Sequence, residues 1–282
     1  MSTSALRAYR LEELRRLMAL VESRVPQGAK ILDVGAGAGW LAAWLAERGY
    51  AVVPVDLAGG PYESVEVVPI IKYDGARLPF KDEAFDGVLL SNVLEHCVHP
   101  RTVLEEVKRV LKLEGLVIVV APSALWALVR CIAHYPYLAK RALARGCERV
   151  WKKEKSRDER AVGRISKSAA GWVGRLVPNR DGEWGGALEE IWLFRRAHWI
   201  AIFTECGWEV VSQGGGGVFY SGRYLLNEWL SIAVRRRIAA AVGSSSLLFA
   251  LRRASPKEAV AGAGQRMLVG EGSNSGEAQA VE

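Results

Sequence analysis

C-x-x-C pairs and an unbroken apolar run are missing from this sequence of 282 residues, and no secretory leader is expected. The four cysteines, Cys97, Cys131, Cys147 and Cys206, form no C-x-x-C pair, which fits a reduced, cytosolic setting rather than a disulfide framework. The opening stretch MSTSALRAYRLEELRRL is charged and amphipathic, not an apolar leader. The longest apolar run, residues 116–134, is interrupted by Pro122 and Ser123 and contains Arg130, so it reads as a buried strand, a turn and a new helix instead of a membrane span. His96 and His99 lie three apart, but no third ligand stands near them, and no metal site is expected.

What is present divides the chain in two. Half of the residues are hydrophobic, enough for one large α/β core or a core with an appendage. The net charge of +7 is concentrated: residues 125–178 hold 13 Lys/Arg against 4 Asp/Glu. Such a block suits an anionic partner, or is simply a solvated helical surface. Most of the ten tryptophans also lie in the second half.

Hydrophobic spacing predicts a helix over 5–24, a strand at 30–34, a helix at 40–48 and a strand at 51–55 ending on Asp56. A third strand is expected at 67–72 before Asp74, a fourth at 86–91, a helix at 101–112 capped by Gly115, and a fifth strand at 116–121. This alternation predicts an α/β fold with a doubly wound, mostly parallel, seven-stranded sheet. Ligands of such sheets bind beyond the carboxyl ends of the strands, where Asp33, Asp56, Asp74 and Ser91 all fall. After Ser123 the pattern becomes helical and basic. A Gly-rich loop, RDGEWGGALEE, then leads into a helix at 188–206, a strand at 208–213, a helix at 223–241 and a strand at 246–252. The expected organisation is an N-terminal helix (1–26), an α/β core (27–123), a basic helical insert (124–187), the remainder of the core (188–253) and a disordered tail (254–282).

The stretch ILDVGAGAGW, residues 31–40, is the most informative. Gly35, Gly37 and Gly39 follow a strand and open a helix, as a tight turn beside a ligand requires. A dinucleotide turn asks for G-x-G-x-x-G against a pyrophosphate. Here the third glycine comes one residue early, and the Asp33 carboxylate sits better beside a cation than beside phosphate. The chain resembles the class I SAM-dependent methyltransferases, specifically the type 11 group, whose Rossmann-like fold carries a D-x-G-x-G-x-G first motif. The resemblance extends through Asp56, the run DGARLPFKDEAFDGVLLSNVLEH (74–96) and VKRVLKLEGLVIVVAPS (107–123); Leu113-Glu114-Gly115 departs from the usual L-K-P-G-G turn.

The resemblance implies S-adenosyl-L-methionine (SAM) as cofactor. Gly35, Ala36, Gly37 and Gly39 would let the backbone approach its methionine part, and Asp33 would organise the ammonium. Asp56 would accept from the ribose hydroxyls. Asp74, Gly75, Ala76 and Leu57 would border the adenine, with Ser91 and Asn92 lining the methionine side. Methyl transfer needs alignment and exclusion of water, and a base only when the acceptor must lose a proton. His96 is a candidate base, or belongs to its loop's packing; Glu183 and Glu190 are candidates to touch the acceptor, as are Glu189 and Tyr220, while His198 reads as packing. In such enzymes an insert after the fifth strand is a lid. Its basic and aromatic residues suit a lipid-linked or other anionic small molecule, or peripheral contact with the inner face of a membrane, and nucleic acid ranks lowest. The expected function is methyl transfer to a small-molecule, sugar or lipid-linked acceptor, oxygen favoured. The alternatives are a non-catalytic membrane-associated binding protein on the same fold and an NAD-type oxidoreductase.

Overall fold

A computed structural model describes residues 3–60, 62–136, 138, 178, 180–220 and 230–255. The strands are β1 (Lys30–Val34), β2 (Ala51–Leu57), β3 (Ile71–Tyr73), β4 (Phe85–Ser91), β5 (Leu111–Pro122), β6 (Trp208–Gly215) and β7 (Ser246–Arg253). They form one sheet in the order β3-β2-β1-β4-β5-β7-β6. The first five are mutually parallel, and β7 runs antiparallel between β5 and β6. This is the mostly parallel seven-stranded sheet expected, and it leaves the carboxyl ends of β1–β6 on one edge.

Because strand side chains alternate, the apolar runs feed both faces of the sheet. Leu32, Val34, Val88, Leu90, Val117 and Val119 meet α3 (Pro100–Val110) and α6 (Arg196–Glu205), whose Trp199 and Phe203 are fully buried. Ile31, Leu89, Ile118 and Val120 meet α1 (Thr3–Glu22) through Leu17 and Val21, and α2 (Trp40–Ala46) through Leu41 and Leu45. Among the described residues the further α-helices are α4 (residues 124–136), the single turn α5 (Glu190–Leu193) and α7 (Ile232–Val242).

Several boundaries differ from expectation, three of them through tertiary contacts. The helix expected over 101–112 ends at Val110, because Leu111 is already in β5 opposite Phe85. Gly115 is therefore no helix cap; it lies inside the strand, where the register shifts. A side chain there would meet Leu111 at 2.6 Å and the Asp86 carbonyl at 3.0 Å. The third strand is only Ile71–Tyr73, since residues 67–70 leave the sheet to cover the glycine turn. The helix expected over 188–206 is two pieces, broken at Phe194, whose ring turns inward to stack with Trp199 at 6.2 Å. The helix expected over 223–241 begins only at Ile232, where the Ser231 side chain accepts from the Val234 N–H and caps it. Most of the expected insert, residues 221–229 and the tail from 256 lie outside the described residues.

Candidate active site

The carboxyl edge has two banks. On the first, the Gly35 and Ala36 N–H groups both donate to the Val55 carbonyl, at 2.9 and 3.0 Å, tying the turn after β1 to β2. Asp56 completes the clamp: Oδ2 accepts from Gly37 N–H at 2.6 Å, and Oδ1 accepts from Leu57 N–H at 2.7 Å. Gly35 has φ +70°, and a side chain there would lie 2.5 Å from a Val93 methyl, so sterics and conformation both select glycine. The Tyr62 ring lies over Gly37, and a Val68 methyl sits against Gly39.

Asp33, inside β1 two residues before Gly35, is buried to 1% exposure, and among the described residues its Oδ2 has no hydrogen-bond partner. Burial, and secondarily the Asp56 charge, push its carboxyl up to about 7. A buried, unpartnered carboxylate oxygen is costly unless a ligand completes it. Asp74, just past β3, folds its Oδ1 back onto the N–H groups of Ala76 (2.9 Å) and Arg77 (3.2 Å), which hold it below the usual carboxylate range. Leu57 packs against Gly75, and a narrow cleft beneath is lined by Val34, Tyr73, Gly75, Ala76, Leu78 and Val103. Ser91 ends β4, and Asn92 follows with φ +55°, a left-handed conformation that asparagine tolerates. Every cofactor position expected from sequence therefore lies on or just past the adjoining ends of β1–β4.

The second bank is built from longer-range contacts. Arg130 of α4 is buried and paired with Glu190 and, at 3.3 Å, with Asp181. Asp181 also accepts from Trp126 Nε1 at 2.9 Å, and the Trp126 ring stacks on Tyr220 at 5.2 Å. Trp184 Nε1 donates to the Cys97 carbonyl at 2.7 Å and Glu183 N–H to the Glu95 carbonyl at 2.8 Å, fastening the 181–184 loop to the turn after β4.

The three catalytic candidates are thus treated differently. Glu190, expected to touch the acceptor, is fully buried; one oxygen takes Arg130 and the other the N–H groups of Asp181 (2.7 Å) and Gly182 (2.8 Å). It is a keystone of the loop rather than an open carboxylate. Glu183 is exposed and paired with Arg180 at 2.8 Å. His96 is exposed at the end of a single 3-10 turn, Leu94–His96, just past β4. His198 packs near Trp184, and burial lowers its pKa, as a packing role would have it. Burial pushes the neighbouring Cys97 thiol up to about 11, so it supplies no thiolate. Among the described residues no cluster could hold a metal ion.

Sequence reasoning missed Arg130 and Asp181; the available signal was a lone arginine inside an apolar helix. It also missed Arg109, which holds the LPF loop through the Leu78 and Phe80 carbonyls at 2.9 and 2.8 Å and pairs with Glu106 and Asp82.

Comparison with known proteins finds likeness over the stretch that carries the first bank. Residues 32–119 match a family described as "Methyltransferase domain". This stretch is similar to methyltransferase domains. The chain is 37% identical over 99 residues to a demethylmenaquinone methyltransferase of Clavibacter sepedonicus, covering 33% of this chain and 40% of that protein. It is 37% identical over 109 residues to a Streptomyces griseus protein of the same name, covering 37% of this chain and 46% of the relative. The match thus spans less than half the length of these curated relatives. In fold, the chain is similar to a structure of the Haloferax volcanii Trm112 methyltransferase activator in complex with a methyltransferase (TM-score 0.51, 15% identity, 89% of this chain and 94% of that one).

Proposed function

We propose that this protein transfers the methyl group of SAM to an acceptor bound between the two banks. The observation that carries the reading is the buried Asp33 oxygen without a donor, beside a glycine turn clamped by Asp56, inside a stretch similar to methyltransferase domains. These residues fit the cofactor. Its ammonium would supply the charge that Asp33 lacks, the exposed edge of the Asp56 carboxylate suits ribose hydroxyls, and the Leu57–Gly75–Ala76 surface suits a flat base. When bound, SAM supplies a methyl group already activated by the sulfonium, so the protein's own work is alignment and exclusion of water.

The acceptor is a small-molecule, sugar or lipid-linked compound, with oxygen the favoured atom. Its surroundings would be Asn92, Trp126 and Tyr220. If the acceptor is a hydroxyl, His96 is the exposed titratable group on the strand-end turn, whereas Glu190 is already committed to Arg130. Calorimetric titration with S-adenosylhomocysteine, with NADH in parallel, tests the reading on wild type and Asp56→Ala. Micromolar binding of S-adenosylhomocysteine that the substitution abolishes is the expected result. Absent binding, or tighter binding of NADH, overturns it; binding without turnover on any acceptor would favour a non-catalytic protein.

A further inference from the structure

Helix α4 is inside out. Its one charged residue, Arg130, and its one histidine, His134, are buried at 6% and 8% exposure, while its exposed positions are Leu128, Ile132, Tyr135 and Pro136. Leu128, Ile132 and Tyr135 recur at spacings of four and three, so they form one stripe along the helix. Solvent-facing helical stripes are ordinarily polar, and a helix that turns its charge inward and its apolar side chains outward has an outer face suited to something other than water. A second exposed apolar group lies on the segment bonded to α4. The Cys131 thiol donates to the Ala187 carbonyl, and Leu188, the next residue in the chain, and Trp192, four residues further on, are exposed at 67% and 63%. The Arg195 guanidinium lies 3.4 Å from the centre of the Trp192 ring, placing a cation at the border of the apolar patch.

We propose that this face docks on an anionic lipid bilayer. Leucine and isoleucine supply insertion, tyrosine and tryptophan belong at the headgroup boundary, and Arg195 stands where anionic headgroups would be. Charge complementarity favours a bilayer over a second copy of the chain. The sequence continuing from the helix, residues 139–177, holds 12 Lys/Arg against 4 Asp/Glu, which would repel an identical partner but is drawn to acidic lipid. No described helix is long and apolar enough to cross a membrane, so the contact is a surface one. The docking claim stands apart from the proposed activity. Its corollary, that the acceptor is lipid-linked and reaches the carboxyl edge from the bilayer, rests on the methyltransferase reading.

The test is co-sedimentation of the full chain with phosphatidylglycerol–phosphatidylcholine vesicles and with pure phosphatidylcholine vesicles, comparing wild type with Leu128→Glu/Ile132→Glu. Calorimetric binding of S-adenosylhomocysteine is followed on both proteins. The expected result is preferential pelleting of wild type with the anionic vesicles, weakened about tenfold or more by the double substitution, with the S-adenosylhomocysteine result the same for both proteins. Three outcomes overturn the proposal: equal pelleting of both proteins, which leaves charge alone as the cause; no pelleting of wild type, with a dimer on gel filtration that the double substitution dissolves; or no pelleting and a lower melting temperature in the variant, which places the stripe inside the fold. A failure to bind S-adenosylhomocysteine in both proteins would count against the methyltransferase reading and leave the vesicle result intact.

Discussion

The first bank of the carboxyl edge is held by backbone amides that meet carboxylates close by in sequence, the second by side chains that meet across long stretches of chain. Asp74 binds amides two and three residues away, and Asp56 an amide 19 residues away. On the other bank the hydrogen bonds of Trp126, Arg130 and Trp184 join residues separated by 55, 60 and 87 positions. The difference teaches where specificity can vary. A site written in local turns changes only if its motif changes, whereas a site written in distant side-chain pairs can be rebuilt without disturbing the motif.

The largest expected effect comes from attacking the second bank alone. Glu190→Ala leaves Arg130 buried without its partner and should cost about 3–5 kcal/mol in urea denaturation. If the banks are separable, S-adenosylhomocysteine affinity of the folded variant stays near that of wild type; a parallel loss would show that the banks are one unit. The reciprocal change, Gly35→Ala, puts a side chain at φ +70° and against Val93. It should cost about 2 kcal/mol and abolish S-adenosylhomocysteine binding, while proteolytic resistance of the 181–190 loop is preserved.

A third effect is a slope rather than a step. Folding raises the Asp33 pKa from 3.8 to about 7. The folded protein therefore keeps a proton that the unfolded chain releases, and the stabilisation this gives is complete below about pH 4 and lost as pH rises through 7. Asp33→Asn, which mimics the protonated acid, should melt with wild type at pH 4 and above it at pH 8, in ligand-free protein. Coincident melting curves across that range would remove Asp33 from the buried site. The smallest effect belongs to Trp126→Phe, which deletes the bond to Asp181. It should cost about 1 kcal/mol and leave S-adenosylhomocysteine binding unchanged.

The same contrast explains what could be read from sequence. The sheet, the strand-end acids and the glycine turn were legible because each is fixed by residue type at short spacing: an apolar run, an aspartate at its end, a glycine after it. The ends of α3 and the split at Phe194 were not, because strand pairing at Leu111 and ring stacking on Trp199 overrode helical periodicity. Glu190 looked like a candidate for chemistry because a carboxylate in a Gly-rich loop carries no mark of the arginine that will reach it from another helix. The sequence did carry that arginine, but only as an interruption in an apolar run.

The direction of β7 has a practical consequence. Because it runs against its neighbours, its last residue, Arg253, finishes at the opposite rim from the site, where its guanidinium donates to the Lys108 and Leu111 carbonyls and Ala254 N–H donates to Gly207 at 3.0 Å. The described chain therefore leaves the sheet at the rim opposite both banks. A purification handle, a fluorescent fusion or a chip-surface tether placed there would start from the side away from both banks, an orientation suited to acceptor screening on immobilised protein.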